Sequence, residues 1–475
     1  MSMSTEPIPP VKSDVGLRPR RPSAVWLGRI RLCVVWLCVV WLCVVWLCVI
    51  CLFVVCLGLF SGSVLLAAEG SPRPQKWIGW TEFQTDLPGG RHANVRTMRA
   101  VAVRLDSAAS DAEQRLSPGQ AKIDRPDAWT QFAGWSPDGK QAIIARGWQN
   151  PENAGWEEQH RMFRMDPGQW QLDSDLIDLT TRVVQPVTSI DRVSHYNGGL
   201  FFLPDGKQLG FTALIQGTSK PFVMDRDGRN KRDVSGQGTG FAYGYSASPD
   251  GKRISYHENY QIYLANLDGS GKQKVETGQP FNFSPLWSPD GQSLLFVAGR
   301  HWNSDPYLVR ADGTGLRKLA DLNGYRGSIR FLDVYDFHEG SSDLPVWSSD
   351  GQKVFYTARV FPKAGTPEAL LPADLLPGEP PRTGKGGGDR PFIPRQETVE
   401  LFETTLDGNV RQLTHSPVGT LHYHPKPSPD GQWLIYGSLR DGVRQLYVRK
   451  LSDGTEYPLT RLIRGHGALW PHWQP

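Results

Sequence analysis

One short pattern punctuates most of this chain. Ser-Pro-Asp-Gly or a close variant recurs with its Asp at positions 138, 205, 250, 290, 350 and 430. Each copy follows a short apolar segment and precedes an alternating or aromatic one, as in "WSPDGQSLLFVAG" from Trp287 and "PSPDGQWLIYGSL" from Pro427. That is strand, tight turn, strand. Pro presets φ at the second turn position, Asp can bond the local backbone, and Gly accepts the positive φ at the exit. Six copies spaced along the chain are too far apart to share one ion, so the Asp-Gly is read as a structural turn.

A second hairpin often follows: a Tyr-containing strand, another Asp-Gly, and a polar strand ending in Leu or Thr. Examples are Gln261–Thr277, Pro306–Ala320, Leu401–Thr414 and Leu446–Thr460. Four strands per unit, repeated, is the pattern of propeller blades. With 50 Gly and 37 Pro in 475 residues, the composition also favours an all-β, turn-rich chain. Pro-x-Trp precedes the turn at Pro285 and Pro345, Pro425 opens a variant, and the chain finishes "PHWQP" from Pro471. This last stretch reads as a first strand without its partners. The strand-like "KWIGWTEF" (Lys76–Phe83) and "TMRAVAVRLD" (Thr97–Asp106) would supply them. The expected fold is therefore an all-β propeller of seven blades, each of four antiparallel strands. Pairing of N- and C-terminal strands closes the ring, which removes an exposed sheet edge. Six blades is the alternative.

The repeated Ser-Pro-Asp-Gly, the "IY…DG" hairpin and the Leu-Thr end resemble the TolB-type propeller across nearly all of residues 75–475. The same blade occurs in propeller domains of prolyl-oligopeptidase-like enzymes and in oligogalacturonate lyases. The resemblance implies the fold far more than a function, because one fold hosts many. TolB proteins carry an α/β domain ahead of the propeller, for which the stretch before Lys76 leaves no room.

Residues 1–69 form a separate segment and 70–475 the propeller. Lys12, Arg18, Arg20, Arg21, Arg29 and Arg31 precede an uncharged run from Leu32 to Leu66. The run is long enough to span a bilayer as a hydrophobic helix, and its basic flank puts the N-terminus in the cytoplasm. A membrane anchor through residues 32–66 and a cleaved signal both remain open; either exports the rest to the periplasm or another extracytoplasmic space. All six Cys lie between Cys33 and Cys56, so no disulfide holds the exported part. Residues 1–32 carry net +4 and the remainder net zero, so charge argues for no nucleic-acid partner.

Variation in such a ring concentrates on the face opposite the Ser-Pro-Asp-Gly turns. There fall a long connection, Gly147–Phe163, and a Pro/Gly-rich insertion at 362–396, read as a mobile lid or a disordered loop. Residues leading into the first strands include Tyr196, Asn197, Tyr243, Tyr245, Asp343, His422 and His424; His195, His257, His301, His338 and His466 are further candidates for this face. Alternation on a strand would put the rings of His422 and His424 on one side, compatible with a divalent metal. The resemblance to oligogalacturonate lyases implies a metal held by several His and a Gln at the centre, but no full ligand set matches. Arg146, Arg300, Arg359 and Arg440 each follow a second strand and would ring that rim, a guanidinium set suited to carboxylates.

No Gly-x-Ser-x-Gly elbow, His-Glu-x-x-His, phosphate loop or dinucleotide fingerprint is present. The leading expectation is a non-catalytic binding module of the cell envelope, without a cofactor, taking an envelope protein or an anionic glycan. A metal-dependent polysaccharide lyase using His422 and His424 is the alternative.

Overall fold

Polar turns and two-sided apolar strands arrange as the repeat demands. A computed structural model describes residues 76–88, 90–104, 128–160, 164, 166, 168–188, 199–215, 217–300, 303–319, 344–360 and 398–475. β1 (Trp77–Gln84) and β2 (Arg99–Arg104) come first, with the short helix α1 (Gly90–Val95) between them. The next sheet holds β3 (Trp129–Trp135), β4 (Gln141–Gln149), β5 (Trp170–Asp178) and β6 (Val184–Pro186), with α2 (Pro151–His160) between β4 and β5. Then come β7 (Phe201–Phe202), β8 (Gln208–Ile215), β9 (Thr218–Asp225) and β10 (Arg232–Asp233), followed by β11 (Ala242–Ala247), β12 (Arg253–Glu258), β13 (Gln261–Asn266) and β14 (Gln273–Lys274). The fourth four-stranded sheet is β15 (Asn282–Trp287), β16 (Ser293–Arg300), β17 (Asn303–Arg310) and β18 (Arg317–Lys318). The fifth is β19 (Val346–Trp347), β20 (Lys353–Val360), β21 (Thr398–Thr405) and β22 (Val410–Gln412). The sixth is β23 (His422–Pro427), β24 (Trp433–Ser438), β25 (Gln445–Lys450) and β26 (Glu456–Pro458). Finally β27 (His466–Trp473) pairs antiparallel with β1, and β1 with β2.

The protein is thus a seven-bladed propeller. The C-terminal strand is the first strand of the seventh blade, as the "PHWQP" ending predicts, with Ile78 opposite Trp473 and Gln84 opposite His466. Three strands of that blade are described. First strands of most adjacent blades pack on one another, so they line the axis. Alternation along a second strand bonds neighbouring blades: Leu294 and Phe296 pack with Ile262 and Leu264 of the third blade, Leu295 and Val297 with Tyr356 and Phe402 of the fifth. All four β16 residues are essentially inaccessible, so each sheet buries both faces.

The turn residues do what their chemistry predicts. In the first blade Ser136 Oγ donates to Asp138 Oδ1 (2.6 Å), the same carboxylate oxygen accepts from Lys140 N (3.1 Å), and Gln141 N donates back to Ser136 Oγ (2.9 Å). The Ser–Asp bond recurs at Ser248–Asp250, Ser288–Asp290, Ser348–Asp350 and Ser428–Asp430. Gly291 closes its turn at φ +69°. The Leu-Thr ending also has a cause. Thr188, Thr414 and Thr460 each accept, at Oγ1, the backbone N–H of a residue on the third strand (Ser174, Leu401 and Leu446), which ends the outer strand.

Three first-strand tryptophans before the turn bridge blades, two of them, Trp347 and Trp473, in Pro-x-Trp. Trp135 Nε1 donates to His472 O (3.1 Å), Trp347 Nε1 to Leu286 O (3.2 Å) and Trp473 Nε1 to Lys426 O (2.9 Å), each reaching the first strand of the preceding blade. Among the described residues no helix is long and apolar enough to cross a membrane; the apolar run 32–66 lies outside them, as does the insertion at 362–396.

Candidate functional site

The first strands do not run straight along the axis. Register shifts interrupt them at Tyr243/Ser246, Phe283/Leu286 and Tyr423/Lys426, and β1–β27 shifts at Gly79/Thr81. At the corresponding place in each bulge sits a positive-φ residue: Gly244 (66°), Ser284 (49°), His424 (51°) and Trp470 (51°). In the last three it directly precedes the repeated Pro. Non-Gly residues adopt this conformation rarely, and bulges re-aim side chains.

This bulge separates the two histidines that strand alternation would have placed together. His422 is fully buried. Its Nε2 shares a 2.8 Å hydrogen bond with Ser416 Oγ and lies 3.4 Å from Glu400 Oε2, and its ring stands edge-on to Tyr436. Its partners are therefore the fifth blade and the connection leading from it. Burial works against ionisation of Glu400, but hydrogen bonds from His422, Thr414 and Ser416 N outweigh it and hold the carboxyl below its usual value. His424 turns to the seventh blade instead: Nδ1 accepts Trp470 N–H at 3.2 Å, and the ring lies 6.0 Å from the Trp470 ring. As a pair they do not converge on one point. Among the described residues no group of three or more His, Cys, Asp or Glu is arranged to hold a metal ion. His195, His301 and His338 lie outside those residues, as do Tyr196, Asn197 and Asp343.

The arginines are spread out. Arg146 is buried within β4 and pairs with Asp175 through one hydrogen bond, Nη2 to Oδ1 at 2.7 Å, and an ion-pair contact of Nε with Oδ2 at 2.5 Å. Burial raises the Asp175 pKa, and Arg146 opposes that. Arg440 bonds Glu456 (3.2 Å) and Tyr436 OH (2.6 Å), with its guanidinium 4.0 Å from the Tyr447 ring centre. Both are engaged within their own blades. Arg300 ends β16 and Arg359 is next to last in β20; only their backbones are described. Tyr245 is buried against Phe201 edge-on at 5.0 Å, and burial pushes its phenol well up. His257 Nδ1 accepts Ser284 N–H (3.0 Å), linking the third blade to the bulge of the fourth blade, while His466 opens β27.

A cluster at the axis was not anticipated. His424 is held well below its usual pKa by burial, then by Lys426, Arg444 and His472; His472 falls to about 3 through burial and Lys426. Two neutral imidazoles and two cations of the sixth and seventh blades thus lie within electrostatic reach of one another, while the His472 ring packs 5.8 Å from Phe132 of the first blade. Arg444 lies over the Tyr423 ring at 5.6 Å and has no carboxylate partner among the described residues. The signal was available: aligned on the repeated Pro, His424 matches Trp470, and Lys426 matches His472. The Gly147–Phe163 connection likewise hides α2, whose start is marked by Asn150, whose Oδ1 accepts Glu152 N–H (2.8 Å), and by Pro151 in the first turn.

No family model matches the chain. A peptidase of Bacillus subtilis (strain 168), itself uncharacterised, is 25% identical over 236 residues, 48% of this chain and 30% of that protein. A TolB homologue of Chlorobium luteolum is 29% identical over 113 residues, 24% of this chain and 26% of that protein. The chain thus spans less than a third of the length of either relative. Among solved structures, an oligogalacturonate lyase in complex with manganese aligns with a TM-score of 0.47 and 16% identity, over 71% of this chain and 79% of that one. The chain is similar to TolB-type propellers.

Proposed function

We propose that this chain is an exported, TolB-like, non-catalytic propeller that binds a carboxylate-bearing ligand of the cell envelope, a protein or an acidic glycan, at the centre of its ring. The observation that carries this is that Arg444 and Lys426 lie within electrostatic reach of His424, with Arg444 over the Tyr423 ring and without a carboxylate partner among the described residues. Arginine suits carboxylates through its planar donors, and a partly enclosed cation pair draws anions more strongly than an open surface. Export is supported by the basic flank and the uncharged run from Leu32 to Leu66, and by similarity to a TolB homologue.

The test is calorimetric titration of the full chain with an acidic oligogalacturonide, an acidic peptide and a neutral oligosaccharide. Binding of one acidic ligand, lost on Arg444→Gln and weakened by salt, is expected. Equal affinity for the neutral sugar, or no effect of Arg444→Gln, rejects the reading.

A second reading, a metal-dependent lyase, draws on one observation: burial keeps His424 neutral, the form that ligates metals. Its test is the metal content of the purified chain. Stoichiometric manganese, iron or zinc, lost on His424→Ala together with activity on acidic oligosaccharides, would displace the binding module.

A further inference from the structure

Tyr260 is the one exposed aromatic side chain among the described residues, at 39% accessible, and it stands on an unusual backbone. With Asn259 it forms the two-residue turn between β12 and β13, where Glu258 is opposite Gln261. Asn259 has φ +49° and Tyr260 φ +64°. A turn of this kind needs positive φ at both central residues, and Gly ordinarily takes the second place. A bulky tyrosine there is an outlier that its surroundings must hold in place.

They hold it from both sides. Asn259 N donates to Phe241 O (3.1 Å) and Phe241 N to Asn259 Oδ1 (3.1 Å), which ties the turn to the entry of β11. Asn282 donates to Tyr260 O through both N (3.0 Å) and Nδ2 (2.9 Å), and the same Nδ2 reaches Gln279 O (2.9 Å). Gln261 Nε2 donates to Pro280 O (3.3 Å). The turn is thus pinned to its own blade and to the segment leading into β15 of the next. The Tyr260 ring is seated too, edge-on to Phe281 (5.3 Å, 77°) and Phe283 (5.4 Å, 75°). It lies at the end of β12 opposite the Ser-Pro-Asp-Gly turn. Little ordering entropy remains for a ligand to remove from such a ring.

The neighbourhood is polar but uncharged. Asn259, Gln261 and residues 278–281 carry no charge. The charges beyond them are paired with each other: Glu258 with Lys272, while also accepting Gly240 N–H (2.7 Å), and Lys274 with Glu276 at 3.1 Å.

We propose that Tyr260 is a stacking platform for an uncharged pyranose ring, a glycan site on the third and fourth blades. The C–H face of a sugar, weakly positive, matches the negative face of an aromatic ring, and the adjacent amides suit its hydroxyls. Area argues against a protein partner: two-fifths of a tyrosine is about 100 Å² or less, against about 800 Å² a side for a stable protein interface. A nucleotide would stack as well, but its phosphates would meet Lys272 and Lys274 already paired. The platform uses neither Arg444 nor Lys426, so it stands whether or not the axial site binds its own ligand.

The probe is cellotetraose, with sorbitol, adenosine monophosphate and a Leu/Tyr tetrapeptide as controls. Each is added to the full chain and followed by saturation-transfer NMR. The expected result is saturable transfer to the ring C–H protons of cellotetraose, with a Kd of about 1 mM that is the same at low and high salt. Tyr260→Gly suits the turn, so it should fold as the parent does and weaken the sugar about tenfold or more. Tyr260→Trp keeps a ring face and should retain binding. No transfer to cellotetraose, an undiminished signal in Tyr260→Gly, equal transfer to sorbitol, or preference for the nucleotide or the peptide each overturns the proposal. Repeating the acidic-ligand titration in Tyr260→Gly judges the axial site on a chain without this platform, so either reading can fail alone.

Discussion

His92 Nε2 lies 3.2 Å from Glu157 Oε2, and the contact joins the closing blade to the first. His92 belongs to α1, between β1 and β2; Glu157 belongs to α2, between β4 and β5. Glu157 is fully buried and also accepts from Gln149 Nε2 (3.0 Å), Asn153 Nδ2 (3.1 Å), Arg164 N (2.6 Å) and Trp170 Nε1 (3.2 Å). A buried carboxylate is tolerated when its lone pairs are filled, and the donors here are placed for it. Glu157→Ala strips five donors of their acceptor at once and should cost about 3–5 kcal/mol. His92→Ala leaves the other four in place and should cost about 1–3 kcal/mol. Denaturant unfolding of both variants checks the order; a milder loss in Glu157→Ala would show that the carboxylate is not the hub.

Gly244 and Gly442 offer a second comparison. Both have positive φ, +66° and +73°, so alanine at either is strained by about 1–2 kcal/mol. At Gly442 an added Cβ meets nothing within 4 Å. At Gly244 it would stand 2.6 Å from Ser284 Cα and 2.7 Å from His257 Nδ1, wedging the third blade from the fourth. Gly244→Ala should therefore lose about 1–3 kcal/mol more than Gly442→Ala, from overpacking. Equal losses in thermal unfolding would mean that the blades part without cost.

The ring was legible because its cause is local and repeated. Ser288, Asp290 and Gly291 make the same turn as their counterparts, and the lone Pro471-x-Trp473 needed only a partner strand. The site was harder, because one backbone event redirects it. Strand alternation assumes two residues per repeat, and the bulge at His424 breaks that count, sending His422 to Ser416 and His424 to Trp470. Arg146 misled for another reason: its partner Asp175 sits on the neighbouring strand, 29 positions away, where spacing gives no hint of pairing. His92 and Glu157 are farther apart still and meet where the seventh blade packs on the first.

Acid should act on the axial histidines first. Their folded pKa values are depressed, His472 to about 3, from an ordinary 6.5, so the unfolded chain takes up protons that the native ring refuses. Stability from this source is complete above about pH 6.5 and is lost as the pH falls toward the folded values. The slope is at most about 1.4 kcal/mol per pH unit for each imidazole. His472→Gln removes one of the two. It should change little at neutral pH and gain on the parent as the pH drops below 6.5. Denaturant midpoints across that range check it, and parallel pH profiles for parent and variant would rule out His472 as the source.

Glu400 titrates with the same sign through a different circuit. Its folded pKa is held below the ordinary 4.5, so it stabilises the ring above that value and the contribution fades as the pH falls through the folded value. His422 is one of the bonds that hold it there. His422→Ala removes that bond, lets burial push the carboxyl upward, and should cost about 1–3 kcal/mol. It should also move the acid-unfolding midpoint to higher pH. His422→Gln places an amide N–H near the lost Nε2 and should restore most of both effects. Acid titration followed by tryptophan fluorescence reads the midpoint directly, and an alanine variant that unfolds at the parent's pH would show that Thr414 and Ser416 hold Glu400 unaided.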